Sequence, residues 1–271
     1  VGTSTSNRDH FYIVDAKTLY YENSAAVGAN LSGLTILNEQ YGLVTGDGIR
    51  RIDLKSLNNV RIKNERLLCF YNSIIYNGKV LSNDTYKDES KVKYYDVNEL
   101  IAAKEGEAPA VTELDIIQKQ KINFVLAKDG NVYTLESADN GCNIVKIKND
   151  FTLEKVFANF QPAKGPYHSS PTIGMVASET ENIIYLVSTD GAIYKYILGD
   201  SDSLKAPFIA AESGVSITAP LQLNQQSGEL YVTYTEELKD ESKIVVYSKD
   251  GKVLHTVDCG ESVPSQILFN N

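Results

Sequence analysis

Residues 171–211 read "PTIGMVASETENIIYLVSTDGAIYKYILGDSDSLKAPFIAA". Two apolar runs, Ile183-Ile184-Tyr185-Leu186-Val187 and Ile193-Tyr194-Lys195-Tyr196-Ile197, flank the pair Asp190-Gly191. Asx-Gly is favoured where a tight hairpin needs positive φ, so the two runs read as strands joined by a turn. The spacing predicts an inner strand over 172–176, a second over 183–188, a third over 192–197 and an outer strand over 207–211. The runs are apolar on both sides of the alternation. That pattern predicts a sheet buried on both faces.

The same unit recurs along the chain. Second strands of the form apolar-Tyr-x-apolar are Phe11-Tyr12-Ile13-Val14, Val132-Tyr133-Thr134-Leu135, Ile184-Tyr185-Leu186-Val187 and Leu230-Tyr231-Val232-Thr233; "YGLVTG" and "KVLSND" hold the same place in their units. Third strands begin at Ile49, Val92, Ile144, Ile193 and Ile244, which are 43, 52, 49 and 51 residues apart. Leu19-Tyr20-Tyr21-Glu22 is a sixth copy. Further Asx-Gly pairs stand at 47–48, 77–78, 129–130, 140–141 and 250–251. Helix is confined to residues 96–107, capped by Asp96 or Asn98 and stopped by Gly106 and Pro109.

A repeat of about 40–50 residues carrying several antiparallel strands is the signature of a β-propeller. Six third strands predict six four-stranded blades. The first unit has a second strand, "HFYIV", with no inner strand before it, and the chain ends on a spare strand, "PSQILF". The expectation is an all-β, six-bladed propeller over 10–271, preceded by a polar tether over 1–9. Its ring closes by pairing of the C-terminal strand with Phe11–Val14, which removes two exposed sheet edges.

Phrases such as "AKDGNVYTL", "STDGAIYKY" and "SKDGKVLHT" resemble the repeats of the YVTN, quinoprotein-like and Kelch-like propeller group. The chain departs from the subgroups with sharper motifs. It has no Trp, so it lacks the tryptophan of PQQ repeats and the Trp-Asp pair of WD repeats, and no stretch matches S-x-D-x-G-x-x-W. The polar start, the abundance of Tyr and Asn and the Lys-bearing turns also resemble propeller-type lipoproteins of Bacteroidetes. That resemblance implies a place in the periplasm or on the cell surface, with a lipid anchor upstream of the chain. No functional residue transfers with it.

Composition narrows the partners. The chain has 271 residues, 42% hydrophobic and 23% charged, with a formal net charge of −9 and no block of like charge. Nucleic acid selects clustered Lys and Arg, so it is not an expected partner. No apolar run reaches the length of a membrane span. The only methionine is Met175. A start of "VGTSTSN" fits an exported protein after loss of its signal peptide, as it fits a trimmed product. Cys69, Cys142 and Cys259 are scattered and odd in number, and read as small buried hydrophobes, with a disulfide left open.

No catalytic constellation emerges. His10, His168 and His255 make no metal-ligand spacing, and the acidic loops at 83–90 and 199–203 lack the register of a calcium loop. There is no G-x-S-x-G and no phosphate loop. The inner strands "TIGMV", "PLQLN" and "SQILF" carry no Asp or Glu, which weighs against paired-carboxylate hydrolysis. No metal and no cofactor is expected.

The remaining candidate is a rim of loops. "HSSPTI", "ITAPLQL" and "SVPSQIL" each place Pro at a strand start, a position where Pro is at home for structural reasons alone. The longest connection, residues 159–171, carries Phe160, Lys164, Tyr167 and His168. Aromatic rings beside hydrogen-bonding groups suit a sugar or peptide. Tyr167, His168 and Lys164, with Arg50 and Arg51 after a second-to-third hairpin, are the expected ligand contacts. The function expected is a non-catalytic exported module that binds a glycan, another small molecule, a peptide or a partner protein. The alternative is an enzyme acting on polysaccharide or another small substrate through the propeller channel.

Overall fold

The computed structural model describes the chain apart from residues 1, 6, 7, 15, 16, 19, 29–32, 46, 47, 64–72, 84–89, 108, 119–123, 163–173, 237–240, 265, 266, 268, 270 and 271. The stretch read as one domain divides into two compact units, Val1–Gln120 and Lys121–Asn271.

In the first unit, β1 (Gly2–Thr5), β2 (Arg8–Val14) and β3 (Tyr21–Gly28) form one antiparallel sheet. A second follows in strict chain order: β4 (Gly33–Ile36), β5 (Tyr41–Thr45), β6 (Ile49–Asp53) and β7 (Asn59–Lys63). The third holds β8 (Ile74–Tyr76), β9 (Lys79–Asn83), β10 (Ser90–Asp96) and β11 (Val111–Gln118), with helix α1 (Val97–Ala102) between its last two strands. The Asp96 side chain accepts from Asn98 N and Glu99 N, so the cap read from the sequence is the cap used.

The second unit repeats the plan. Its first sheet is β12 (Val125–Leu126), β13 (Val132–Ala138), β14 (Gly141–Ile147) and β15 (Leu153–Phe160). Next come β16 (Met175–Ala177), β17 (Ile183–Val187) and β18 (Ile193–Ile197). The last sheet has β19 (Val215–Ile217) and β20 (Gln222–Leu223) both on β21 (Leu230–Glu236), followed by β22 (Ser242–Tyr247) and β23 (Val253–Gly260). Among the described residues the only helical segments are α1 and a 3-10 turn at Ser201–Leu204. The protein is all-β, and each third-strand copy read from the repeat lies in its own sheet.

Burial explains the doubly apolar strands. All five residues of β17 are buried. Ile183, Tyr185 and Val187 join Leu230, Val232, Tyr234 and Tyr247 of the following sheet. Ile184 and Leu186 face the other way and pack with Tyr133, Leu135 and Ile144 of the preceding one. One sheet therefore lies in two cores. In the first unit, Leu43, Ile49 and Ile62 of the β4–β7 sheet pack with Val80, Tyr95 and Leu100 of the next sheet and its helix. Each fully buried aliphatic side chain contributes about 1.5–3 kcal/mol.

Three local features differ from expectation. Gly2–Thr5, read as part of a tether, is strand β1 and pairs with Arg8–Phe11 of β2. Residues 207–211 make only a bridge between Ile193 and Ile209, because the 3-10 turn and Pro207, which lacks an N–H, leave little chain for a ladder. The C-terminal segment has described contacts with the last sheet. Ser242 Oγ donates to Ser262 O, Thr233 Oγ1 to Pro264 O at 3.4 Å, and Ile267 N to Gln222 Oε1 at 2.7 Å. The ring of Phe269 stands 5.0 Å from that of Tyr231. Strand register puts Gln222, Tyr231, Thr233 and Ser242 on one face, opposite the Leu230–Val232–Tyr234 core. The segment thus crosses the second face of the last sheet.

Candidate functional site

Lys164, Tyr167 and His168 lie outside the described residues, but both flanks of their connection are placed. At one end, Pro162 bridges Ser188, Thr189 N donates to Gln161 O at 2.9 Å, and Gln161 Nε2 donates to Asn140 O at 2.6 Å. At the other end, Met175 pairs with Leu186. The connection therefore leaves from and returns to the edge of β17–β18 that carries the Ser188–Gly191 hairpin. That turn is tied down. Gly191 N donates to Ser188 O at 2.9 Å, and the Ser188 hydroxyl bonds Asp190 Oδ1 and Ala192 O. Phe160, counted with the loop by its sequence position, belongs instead to β15. It is 6% exposed and meets Tyr194 edge-on at 5.8 Å. Apolar burial outcompetes display at the rim for this ring.

Arg50 and Arg51 are neighbours on β6 and point to opposite faces. Arg51 Nη1 donates to the carbonyl of Ile101, and to that of Ala103 at 3.1 Å, while its guanidinium lies 5.1 Å from the centre of the Tyr41 ring. These carbonyls end α1, where a cation is favoured. Arg51 thus holds the helix on its sheet. Arg50 Nη1 donates to Asn59 Oδ1 at 3.2 Å, and Asn59 Nδ2 donates to Ala26 O of β3 at 3.2 Å. The pair links two sheets of the first unit. Sequence reading gave Arg50 without Asn59 or Arg61, its cross-strand partner. Only the strand register brings those three together.

The second unit carries one ionic cluster at the start of β13. Lys146 Nζ lies 2.8 Å from Asp129 Oδ2, and the Tyr133 hydroxyl donates to the same oxygen at 2.9 Å. Burial pushes the Asp129 carboxyl up. Hydrogen bonds from Lys146, Asn131 and Tyr133 outweigh it and hold the group below the usual carboxylate range. All its oxygens are committed to strand partners, so the cluster fastens a hairpin. At the far end of β13, Asn143 Nδ2 donates to Glu136 Oε2 at 2.8 Å. Among the described residues no three His, Cys, Asp or Glu side chains converge as a metal site. Nor is any described helix long and apolar enough to cross a membrane.

Residues 4–270 match the family described as Domain of unknown function (DUF5074). The chain belongs to the DUF5074 family. No curated protein matches it. A solved quinonprotein alcohol dehydrogenase-like protein from Bacteroides thetaiotaomicron is 99% identical, with a TM-score of 0.94 over the whole of this DUF5074 chain. The match spans 65% of that protein, so the chain covers less than two thirds of its length. A functionally unknown protein from Desulfotomaculum acetoxidans is 12% identical, with a TM-score of 0.57 over 95% of this chain and 81% of its own. The Cps50 (Swd1) β-propeller domain from Myceliophteria thermophila is 11% identical, with a TM-score of 0.58 over 94% and 82%. At such identities the likeness is one of fold, and that fold is the β-propeller. The quinoprotein likeness extends no further among the described residues. The chain has no Trp to sandwich a quinone, and no converging donor set for its metal ion.

Proposed function

We propose that this DUF5074 chain is a non-catalytic binding module that presents a glycan, peptide or partner protein at one end of a six-bladed propeller. The observation that carries the reading is the anchoring of the long connection. Both its flanks are fixed to one edge of a sheet whose two faces lie in separate cores. A long connection on so rigid a support suits recognition, because little ordering entropy is lost when a ligand seats. Each sheet is taken as one blade. Closure of the ring through residues 264–269 and β2 is supported by the path of that segment across the last sheet. In this reading the module works outside the cytoplasm, in the periplasm or at the cell surface, with a lipid anchor upstream. The 99% identity to a Bacteroides protein accords with the resemblance to Bacteroidetes lipoproteins.

The test is the double substitution Tyr167→Ala/His168→Ala. Wild type and variant are compared by affinity electrophoresis in a polysaccharide panel and by binding to a displayed peptide library. Loss of binding at an unchanged melting temperature is expected. Retained binding places the site elsewhere, and unfolding assigns the pair to the core. Release of reducing ends from any polysaccharide would favour the enzyme reading.

A further inference from the structure

We infer that Arg50 anchors an oxyanion site on the second face of the β4–β7 sheet, with carboxylate as the chemistry it fits best. Register aligns Leu34, Val44, Arg50 and Arg61 in one row across the four strands. The row lies on the face turned away from the Leu43–Ile49–Ile62 core. The Arg50 guanidinium is half-buried on it, and its only hydrogen bond runs from Nη1 to the neutral Asn59 Oδ1. Asn59 is itself fixed by its bond to Ala26 O, so the guanidinium plane is set in advance.

The other edge of the fork is unused. Nε is closed off from solvent without a hydrogen-bond acceptor among the described residues. A guanidinium costs free energy to bury unless an anion pairs with it, and a buried donor without an acceptor adds to that cost. Directly across the strand, Arg61 brings a second positive charge to the same row. Like charges in opposed positions destabilise a sheet, whatever else each one bonds, and an anion beside them relieves the repulsion. Nε and Nη2 together present the parallel donor pair that matches the two oxygens of a carboxylate. Access is open along the row. Leu34 and Ile36, on the inner strand of this face, are 43% and 52% exposed.

The inference rests on reading Arg50 as a ligand contact and goes on to name the ligand's charge and shape. The probe is malonate, titrated against chloride at equal ionic strength, with thermal unfolding and calorimetry as readouts. Wild type should show a saturable rise in melting temperature with malonate alone. Arg50→Gln should abolish it, and Arg50→Lys, which keeps charge but loses the fork, should weaken binding by about tenfold or more. Asn59→Ala, which keeps the whole guanidinium, should still respond. Equal responses to malonate and chloride, a saturable response retained in Arg50→Gln, or loss of response in a folded Asn59→Ala would each overturn the site. Should Arg50→Gln fail to fold, Arg50→Lys and Asn59→Ala decide. The Tyr167→Ala/His168→Ala variant should bind malonate like wild type. Failure of the loop site and failure of this one are therefore read separately.

Discussion

At the scale of single residues, charge and burial set what can titrate or react. Asp129 has its carboxyl held below its ordinary value of 3.8, so its ion pair stabilises the folded state above that pH and is lost as pH falls below it. Asp129→Asn should cost about 1–3 kcal/mol at pH 7. The gap in melting temperature between variant and wild type should narrow towards pH 3; a gap constant with pH would show that the carboxylate's charge is irrelevant. Cys142 is buried, and burial first, with the Glu136 charge second, pushes its thiol up to about 11. Iodoacetamide at neutral pH should therefore label the partly exposed Cys259 well before Cys142, as peptide mapping would reveal. The burial of Cys142 was legible from its apolar surroundings in sequence. The setting of Arg50 was not, because its opposition to Arg61 depends on a register shift between Ile49 and Arg50 that no local pattern announces.

At the scale of elements, α1 shows how a short helix survives between strands. Six residues cannot hold a helix by propensity. Asp96 caps one end and pairs with Lys79 at 2.6 Å, Arg51 takes the carbonyls at the other, and Leu100 is wholly buried. Asp96→Ala should cost about 0.5–2 kcal/mol. Arg51→Met should cost a comparable amount, about 1–3 kcal/mol, and leave malonate binding as in wild type, which chemical denaturation and calorimetry together would establish. The cap and the stop at Gly106 could be read from residue types at fixed spacing. Strand β1 could not. "GTST" has no apolar residue to alternate, and its pairing with β2 is made by backbone groups that every sequence carries. Phe160 was misplaced for a related reason. A single aromatic at the end of a strand looks the same in sequence whether it turns inward or out to the rim.

At the scale of the whole molecule, the repeat period gave the number and order of the sheets, since a period is a global property that survives errors at individual strands. Removing residues 264–271 should destabilise the chain, because it uncovers Tyr231 and deprives Gln222 and Thr233 of their partners. Each apolar side chain so exposed is worth at most roughly 1.5–3 kcal/mol, and an unchanged melting temperature would refute the role given to this segment. The middle sheet of the second unit has a further consequence. Because Ile184 and Tyr185 are adjacent in β17 yet sit in different cores, neither neighbouring sheet owns a core that can melt alone. Residues 121–271 should then unfold as one cooperative block. Ile184→Ala and Tyr185→Ala, acting on opposite sides, should shift the same denaturation midpoint without splitting the transition, as nearest-neighbour coupling between stacked repeats requires.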